Sequence, residues 1–377
     1  MKRRDNIFTN IFQPRIESNE FDLSHDKKFT ANMGELIPVN CLEVMPGDDF
    51  QISFVNMARF MPLIAPVMHK VRIHTDYFFV PNRITWAGWE DFITGVNADA
   101  HPIINLGLED AETIDKGTVA DYLGIPPGTY GNSPYQINAF PLAAYYKIYD
   151  DWYRDQNMIS EKFEPLVTGN NDTAYFSKLN GQPLRRAWEH DRFTSALPTT
   201  QQSTAVELPL TFQNDIPVDY TPNASFPGTF RHAGGLSQAH NGAITQAPTG
   251  IEDDLGDPIS YDPERTLTVD VNSQAATIND LREAFSLQAF LERSIRGGVR
   301  YVEQLWSMFE EKSSDARLQR PEFLGRDIQN MVIGEVLATA QSNNDIATAE
   351  VPLGTMAGRG ISVGGRDGIH FHAEEHG

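Results

Sequence analysis

A mainly β protein is what this sequence predicts, on three observations. Its 28 glycines and 23 prolines punctuate the chain heavily, which favours short strands and loops over long helices. Two stretches, at 50–54 and 71–79, alternate apolar with polar residues at the period of a half-buried strand. Hydrophobic residues make up 40%, with 22 Phe and 12 Tyr, so the chain can bury a sizeable core and lies far from the composition of disorder.

The N-terminal "MKRRDNIFTNIFQPRIE" is basic but lacks the continuous apolar run of a secretory signal. Next, "FDLSHDKKFT" crowds Asp22, Ser24, His25 and Asp26 together, with Cys41 shortly after. The residue types invite a hydrolytic reading. Neighbours in an extended segment point to opposite faces, however, so Ser24 and His25 make a poor nucleophile and base. Ser24, flanked by Asp22 and Asp26, does not sit in a G-x-S-x-G elbow. The segment reads as the polar lead-in to a strand. Cys41, in the apolar setting "IPVNCLEV", reads as a small core hydrophobe. As the one cysteine it cannot form an intrachain disulfide, which fits a reducing compartment.

Pro46 and Gly47 suit a tight turn, and Phe50, Ile52 and Phe54 alternate with Gln51 and Ser53, so a hairpin is expected here. In "KVRIHTDYFFVPNRITWAGWEDFITG", Val71, Ile73, Tyr77 and Phe79 form the buried side of a strand, with Arg72, His74 and Asp76 on the other. Trp86, Trp89 and Ile93 then follow helical spacing. Before that strand, "FMPLIAPVM" is too short and too broken by Pro62 and Pro66 to cross a bilayer, so a soluble chain is expected.

Residues 140–157 are the clearest helix. Pro141 suits its first turn, and Leu142, Tyr145, Tyr149, Trp152 and Tyr153 gather on one side as a core stripe. From about 201 to 265 the text turns poor in aliphatics and dense in Gly, Pro, Asn and Asp, which reads as an inserted surface excursion. Two helices follow, over 279–296 and 299–310, separated at Gly297 and Gly298.

Near the end, "GTMAGRGISVGG" has no G-K-[ST] and no βαβ setting, so it reads as flexible turns. His370 and His372 form an H-x-H that would project both rings from one side of a strand, with Glu374, Glu375 and His376 close by. With no second ligand cluster in view, no metal is assigned. The acidic run 252–257 lacks the register of a calcium loop. No cofactor is expected, and a structural or binding protein fits better than an enzyme. The formal charge of -21 argues against wide wrapping by nucleic acid, because phosphate affinity comes chiefly from Lys and Arg. Lys2, Arg3 and Arg4 form the compact basic cluster at a terminus.

Several segments taken together resemble a known family. "FDLSHDKKFTANMGELIPVNCLEVMPGDDF", "DYFFVPNRITWAGWEDFITG", "LAAYYKIYDDWYRDQN", "HDRFTSALP", "RLQRPEFLG" and "GTMAGRGISVGG" are similar to the major capsid protein of gokushovirus-like microviruses, small single-stranded DNA phages. The resemblance implies a viral jelly roll, two packed four-stranded antiparallel sheets with long insertions, as a single domain over 1–377. It implies that 201–265 is the variable surface loop, with Phe226, Phe230, Arg231 and His232 as candidate host contacts. Lys2, Arg3, Arg4 and Arg15 are the candidate DNA-facing arm. Trp152, Tyr153, Arg154, Arg320 and Phe323 are candidate intersubunit contacts, being residue types enriched at interfaces, although a core role suits them equally. The implied partners are further copies in an icosahedral shell, a small basic DNA-binding protein with the packaged DNA, an internal scaffolding protein and the host surface. The implied location is the virion, assembled in the bacterial cytoplasm. Family members continue well beyond a segment like "FHAEEHG", so the family's C-terminal segment is expected to be lacking. The competing reading is a β-sandwich spike that binds a receptor or glycan.

Overall fold

The computed structural model describes residues 18–60, 69–96, 100–107, 112–131, 135–206, 231–232, 245–247, 250–252, 259–260, 278–337 and 356–377. The chain divides into two units, Met1–Ala196 with Glu311–Gly377, and Leu197–Glu310.

In the first unit the elements run β1 (Asp49–Arg59), β2 (Val71–Phe79), α1 (Asn82–Thr85), α2 (Trp89–Ile93), β3 (Ile103–Leu106), β4 (Glu112–Ile114), α3 (Val119–Leu123), β5 (Gly128–Tyr130), β6 (Tyr135–Asn138), α4 (Phe140–Ile148) and α5 (Asp172–Leu179). The second unit holds β7 (Arg231–His232), β8 (Thr245–Ala247), β9 (Gly250–Glu252), β10 (Ile259–Ser260), α6 (Ile278–Gly297) and α7 (Tyr301–Phe309). The chain then returns to the first unit as β11 (Glu322–Leu337) and β12 (Met356–His372).

Long antiparallel pairing dominates. A four-stranded sheet has the order β1-β12-β11-β2, and the other ladders among the described residues are two-stranded. The expected strands at 50–54 and 71–79 are both present. β1 alternates exposed and half-buried residues along its whole length, with Phe50, Ile52 and Phe54 on the more buried side.

The turn at Pro46 and Gly47 forms, but no hairpin follows from it. Val44, Gly47 and Asp48 instead exchange backbone hydrogen bonds of 2.8 to 3.0 Å with Ala373 and Gly377, extending the ladder that β1 makes with β12. A local turn signal is thus overridden by a partner from the far end of the chain.

The glycine-rich "GTMAGRGISVGG" is a larger correction. From Met356 onward it is strand β12, hydrogen-bonded on both sides, rather than flexible turns. Its glycines sit where neighbours come close: a Cβ on Gly360 would enter the Phe60 ring, and one on Gly365 would strike the Phe54 carbonyl. Gly368, at φ +59°, lies in the bulge where the pairing with β1 shifts between Ile52 and Phe54, a left-handed position that suits glycine.

The apolar core of the first unit lies among β3, α3, α4 and α5. Ile104, Leu106, Val119, Leu142, Tyr175 and Leu179 are buried there. α3 is held at one end by Thr118, whose hydroxyl accepts from Asp121 N–H at 3.4 Å, and at the other by Gly124 at φ +102°. α4 starts with Pro141 as expected. It passes at Tyr149–Tyr153 into one π-helical turn and ends at Arg154, short of the expected residue 157. The aromatic stripe is core, yet Tyr146 on its flank is buried too, and burial pushes the Tyr146 hydroxyl up to about 12.

Three smaller expectations also change. Trp86, the C-cap of α1, is buried and packs on Trp89 and Phe92, but Ile93 is exposed because the helical path breaks at Gly88. Asp76, expected on the solvent side of β2, is buried by the Tyr153 hydroxyl and the Arg326 guanidinium. Cys41 is exposed rather than core. The helices over 278–297 and 301–309 stand as expected, with Gly298 at φ +108° between them.

Candidate assembly surface

The π-helical turn after α4 organises the first cluster. It brings Trp152 against the segment that leads into β11. The Trp152 indole N–H donates to the Pro321 carbonyl at 3.1 Å, and the Arg320 guanidinium stands 4.4 Å from the ring centroid. Phe323 and Phe78 each lie 5.5 Å from Trp152, centroid to centroid. Arg320 is itself fixed by Asp315 at 2.6 Å. Three of the five candidate contact residues, Trp152, Tyr153 and Phe323, therefore meet around Phe78, and a fourth, Arg320, joins them by stacking on Trp152. Trp152 and Arg320 are half-buried and Phe323 is 36% exposed.

Arg154, the fifth, turns inward. It pairs with Asp150 at 3.2 Å, both side chains being 7% exposed, and donates to the Ile159 carbonyl at 2.6 Å. Asp150 in turn accepts the backbone N–H groups of Lys162 and Phe163 at 2.8 and 2.6 Å. A buried pair survives when its remaining lone pairs and protons are satisfied in this way.

The second feature is the four-stranded sheet itself. On one side Met331, Gln329, Ser362 and Ile369 are buried. On the other, Val55 and Met57 of β1, Ile361 and Val363 of β12, and Ile328 and Val332 of β11 are all exposed, Val55 at 83%. Pairing Met57 with Val363 and Ile361 with Val332 makes them lateral neighbours, so they form one continuous apolar face. Sequence reading missed this face. The signal was present, since Val55 and Met57 are apolar at the parity opposite to Phe50, Ile52 and Phe54. A strand apolar on both sides belongs between two layers.

The N-terminal segment lies extended and exposed from residue 18 to Met33. It is anchored by Lys27, whose ammonium donates to the carbonyls of Pro38, Val39 and Tyr122 at 3.2, 2.9 and 2.5 Å, and by the Tyr122 hydroxyl donating to Thr30 at 2.6 Å. Desolvation lowers Lys27 from the ordinary lysine range. Ser24 and His25 both turn to local partners: Ser24 N–H donates to Asp22 and the His25 ring contacts the Leu23 carbonyl. Cys41 and His25 line one cleft of about 230 Å³ with Lys27 and Tyr122. There desolvation by the cleft walls, then Glu43, pushes the thiol of this otherwise exposed residue up, so the reactive thiolate is disfavoured.

His370 and His372 are exposed on β12 as the strand reading implied. His372 Nδ1 contacts Asp49 at 2.7 Å, while His376 packs on Trp89 at 5.4 Å. Among the described residues no group of three or more His, Cys, Asp or Glu is placed to hold a metal. No described helix is long and apolar enough to cross a membrane. Lys2, Arg3, Arg4, Arg15, Phe226 and Phe230 lie outside the described residues, and Arg231 and His232 are placed as backbone in β7.

A long antiparallel sheet with an uncovered apolar face, joined to aromatic and arginine clusters, defines a β-rich protein of the kind that builds by contact. The family "Capsid protein (F protein)" matches residues 9–365, and this chain belongs to it. It is 34% identical over 368 residues to capsid protein VP1 of Bdellovibrio phage phiMH2K, covering 94% of this chain and 66% of that protein. It is 28% identical over 407 residues to capsid protein VP1 of Chlamydia phage 1, covering 90% and 67%. With capsid protein VP1 of Spiroplasma virus 4 it shares 29% over 347 residues, covering 87% and 62%. The chain thus spans about two thirds of the length of the curated relatives it matches.

Proposed function

We propose that this chain forms the shell-building region of a major capsid protein of gokushovirus-like microviruses, many copies closing into an icosahedral shell around a single-stranded DNA genome. The observation that carries this is the match to a capsid family along residues 9–365. The role is structural, and the location is the virion after assembly in the host cytoplasm.

The exposed apolar face of the sheet supports the finer reading of the fold. In a jelly roll a second four-stranded sheet lies over such a face at about 10 Å, its side chains interdigitating with Val55, Met57, Val332 and Val363. Trp152, Arg320 and Phe323, which keep part of their surface, are contacts between copies, with Tyr153 and Arg154 holding them from behind. The arm with Lys2, Arg3, Arg4 and Arg15 faces DNA beside a separate small basic protein, a partner that the charge of -21 favours. An internal scaffolding protein assists assembly. The 201–265 excursion, with Phe226, Phe230, Arg231 and His232, meets the host surface.

Negative-stain electron microscopy of this chain, expressed alone and extended through any downstream coding sequence, tests the shell reading. Uniform icosahedral particles from either form are the expected result. Small discrete oligomers from both would overturn it.

A further inference from the structure

Residues 184–189 of the first unit form no helix or strand, yet they are fastened like a strap. The Leu184 carbonyl accepts from Leu36 N–H at 2.8 Å, Arg186 N–H donates to the Gly34 carbonyl at 2.9 Å, and Ala187 N–H donates to the Tyr153 carbonyl at 2.8 Å. Glu189 completes the fastening. Its carboxylate takes Arg186 of the strap at 3.2 Å and Arg72 of β2 at 3.3 Å, which ties the strap to the strand.

His74 stands beside that tie. Arg72, His74 and Asp76 alternate along one face of β2, and the register sets Asn330, Ile328 and Arg326 of β11 opposite them. Asp76 is already engaged, accepting from Arg326 at 2.6 and 2.9 Å and from the Tyr153 hydroxyl. The charged groups around the ring are thus three guanidiniums, Arg72, Arg186 and Arg326, and two carboxylates, Asp76 and Glu189, that those guanidiniums hold. His74 Nδ1 is fully covered and has no hydrogen-bond partner. An imidazolium carries N–H on both nitrogens, so protonation sets a covered donor at Nδ1 with nothing to accept it and adds a fourth positive charge to three.

Burial, then Arg186 and Arg326, hold the ring below the ordinary histidine value, with Asp76 opposing and Arg72 adding. The unfolded chain therefore binds this proton more tightly than the folded one. The stability that goes with a neutral His74 is complete above the ordinary value and is lost as pH falls from there toward the lowered one. The strap is the part that gives way. Arg326 is locked by Asp76 and by the long β11–β2 ladder, whereas Arg72 and Arg186 meet at a partly exposed tie on a strap with few backbone bonds.

We propose that His74 is an acid-sensitive catch: neutral, it lets the 184–189 strap lie against β2, and once protonated it repels Arg186 and Arg72 and frees the strap. This goes beyond the shell reading and concerns the folded chain itself, whether or not copies assemble.

Hydrogen exchange of the full chain, read by mass spectrometry and corrected for the intrinsic pH dependence of exchange, tests it. Protection of the Arg186 and Ala187 amides should fall about tenfold between about pH 7.5 and about pH 5.5, the equivalent of one unit of lowered titration, while the β11 amides keep theirs. His74→Gln should hold the strap protected at both pH values. His190→Gln, which removes the histidine that contacts the Thr194 carbonyl at 3.2 Å, should leave the acid release in place. Strap protection that does not fall in the parent, that falls as far in His74→Gln, or that falls together with β11 would overturn the proposal, as would loss of the release in His190→Gln. An arm that needs no variant is exchange at the His74 ring carbon of the parent. Its midpoint should lie below the ordinary histidine value of about 6.5; a midpoint at or above that value would equally sink the catch.

Discussion

Arg154 and Asp150 carry opposite charges in a place where neither meets solvent, so the first prediction belongs to them. Arg154→Met should cost about 3–5 kcal/mol, because Asp150 would be left buried without its counter-charge. Replacing both residues should not recover that loss, since the Asp150 carboxylate also receives the Lys162 and Phe163 N–H groups. Urea unfolding of the single and double variants checks this; a double variant as stable as the parent would refute it. A second residue gives a pH signature. Burial, then Asp315, Glu375 and Glu374, raise Glu322 above the ordinary glutamate value, with Arg83 opposing. The folded state therefore holds the Glu322 proton more tightly than the unfolded chain does. Its contribution to stability is full below the ordinary value and is lost as pH rises through the raised one. Glu322→Gln should be more stable relative to the parent at pH 7 than at pH 4. A gap of the same size at both would show that the raised titration plays no part.

Among elements, β12 is the most instructive. Gly365→Ala should cost about 1–3 kcal/mol, since the added methyl meets the Phe54 carbonyl and only a shift of the ladder relieves it. Gly131→Ala, where no atom lies within 4 Å of the new methyl, should be neutral or slightly stabilising. Thermal unfolding of the pair separates close approach from a general effect of removing glycine. The same strand shows why part of the fold was not legible. β1, β2, α4, α6 and α7 declare themselves through local periodicity. β12 is rich in the residue that strands ordinarily avoid, and it is a strand because two long neighbours hydrogen-bond it. The Pro46 turn misleads for the same reason, its partner lying hundreds of residues away. In the candidate site, residue types alone singled out Trp152, Arg320 and Phe323, but their meeting depends on the π-helical turn after α4, which leaves no periodic mark. Cys41 was misplaced because an apolar neighbourhood in sequence says nothing of which segments cover it.

For the whole molecule, the net charge of -21 opposes the approach of like copies while the contact surface proposed at Trp152, Arg320 and Phe323 favours it. Assembly should therefore begin at lower protein concentration as ionic strength rises from about 0.01 M to 0.15 M, as the Debye length falls from about 30 to 8 Å. Light scattering against concentration at each salt measures the threshold. A threshold that does not move, or that climbs with salt, would show that attraction between opposite charges drives assembly instead.

Strand β1 finds its partner 323 residues later, where Asp49 meets His372. During synthesis at roughly 5–20 residues per second, about 15–65 s pass between the appearance of the two. The buried cluster between Trp86 and Leu179 draws all its buried residues from that stretch and can settle during that wait. β1, with Val55 and Met57 uncovered, cannot. Time on the ribosome is therefore the most hazardous interval in the life of this chain, and its yield should depend on what shelters the first strand until the last one arrives.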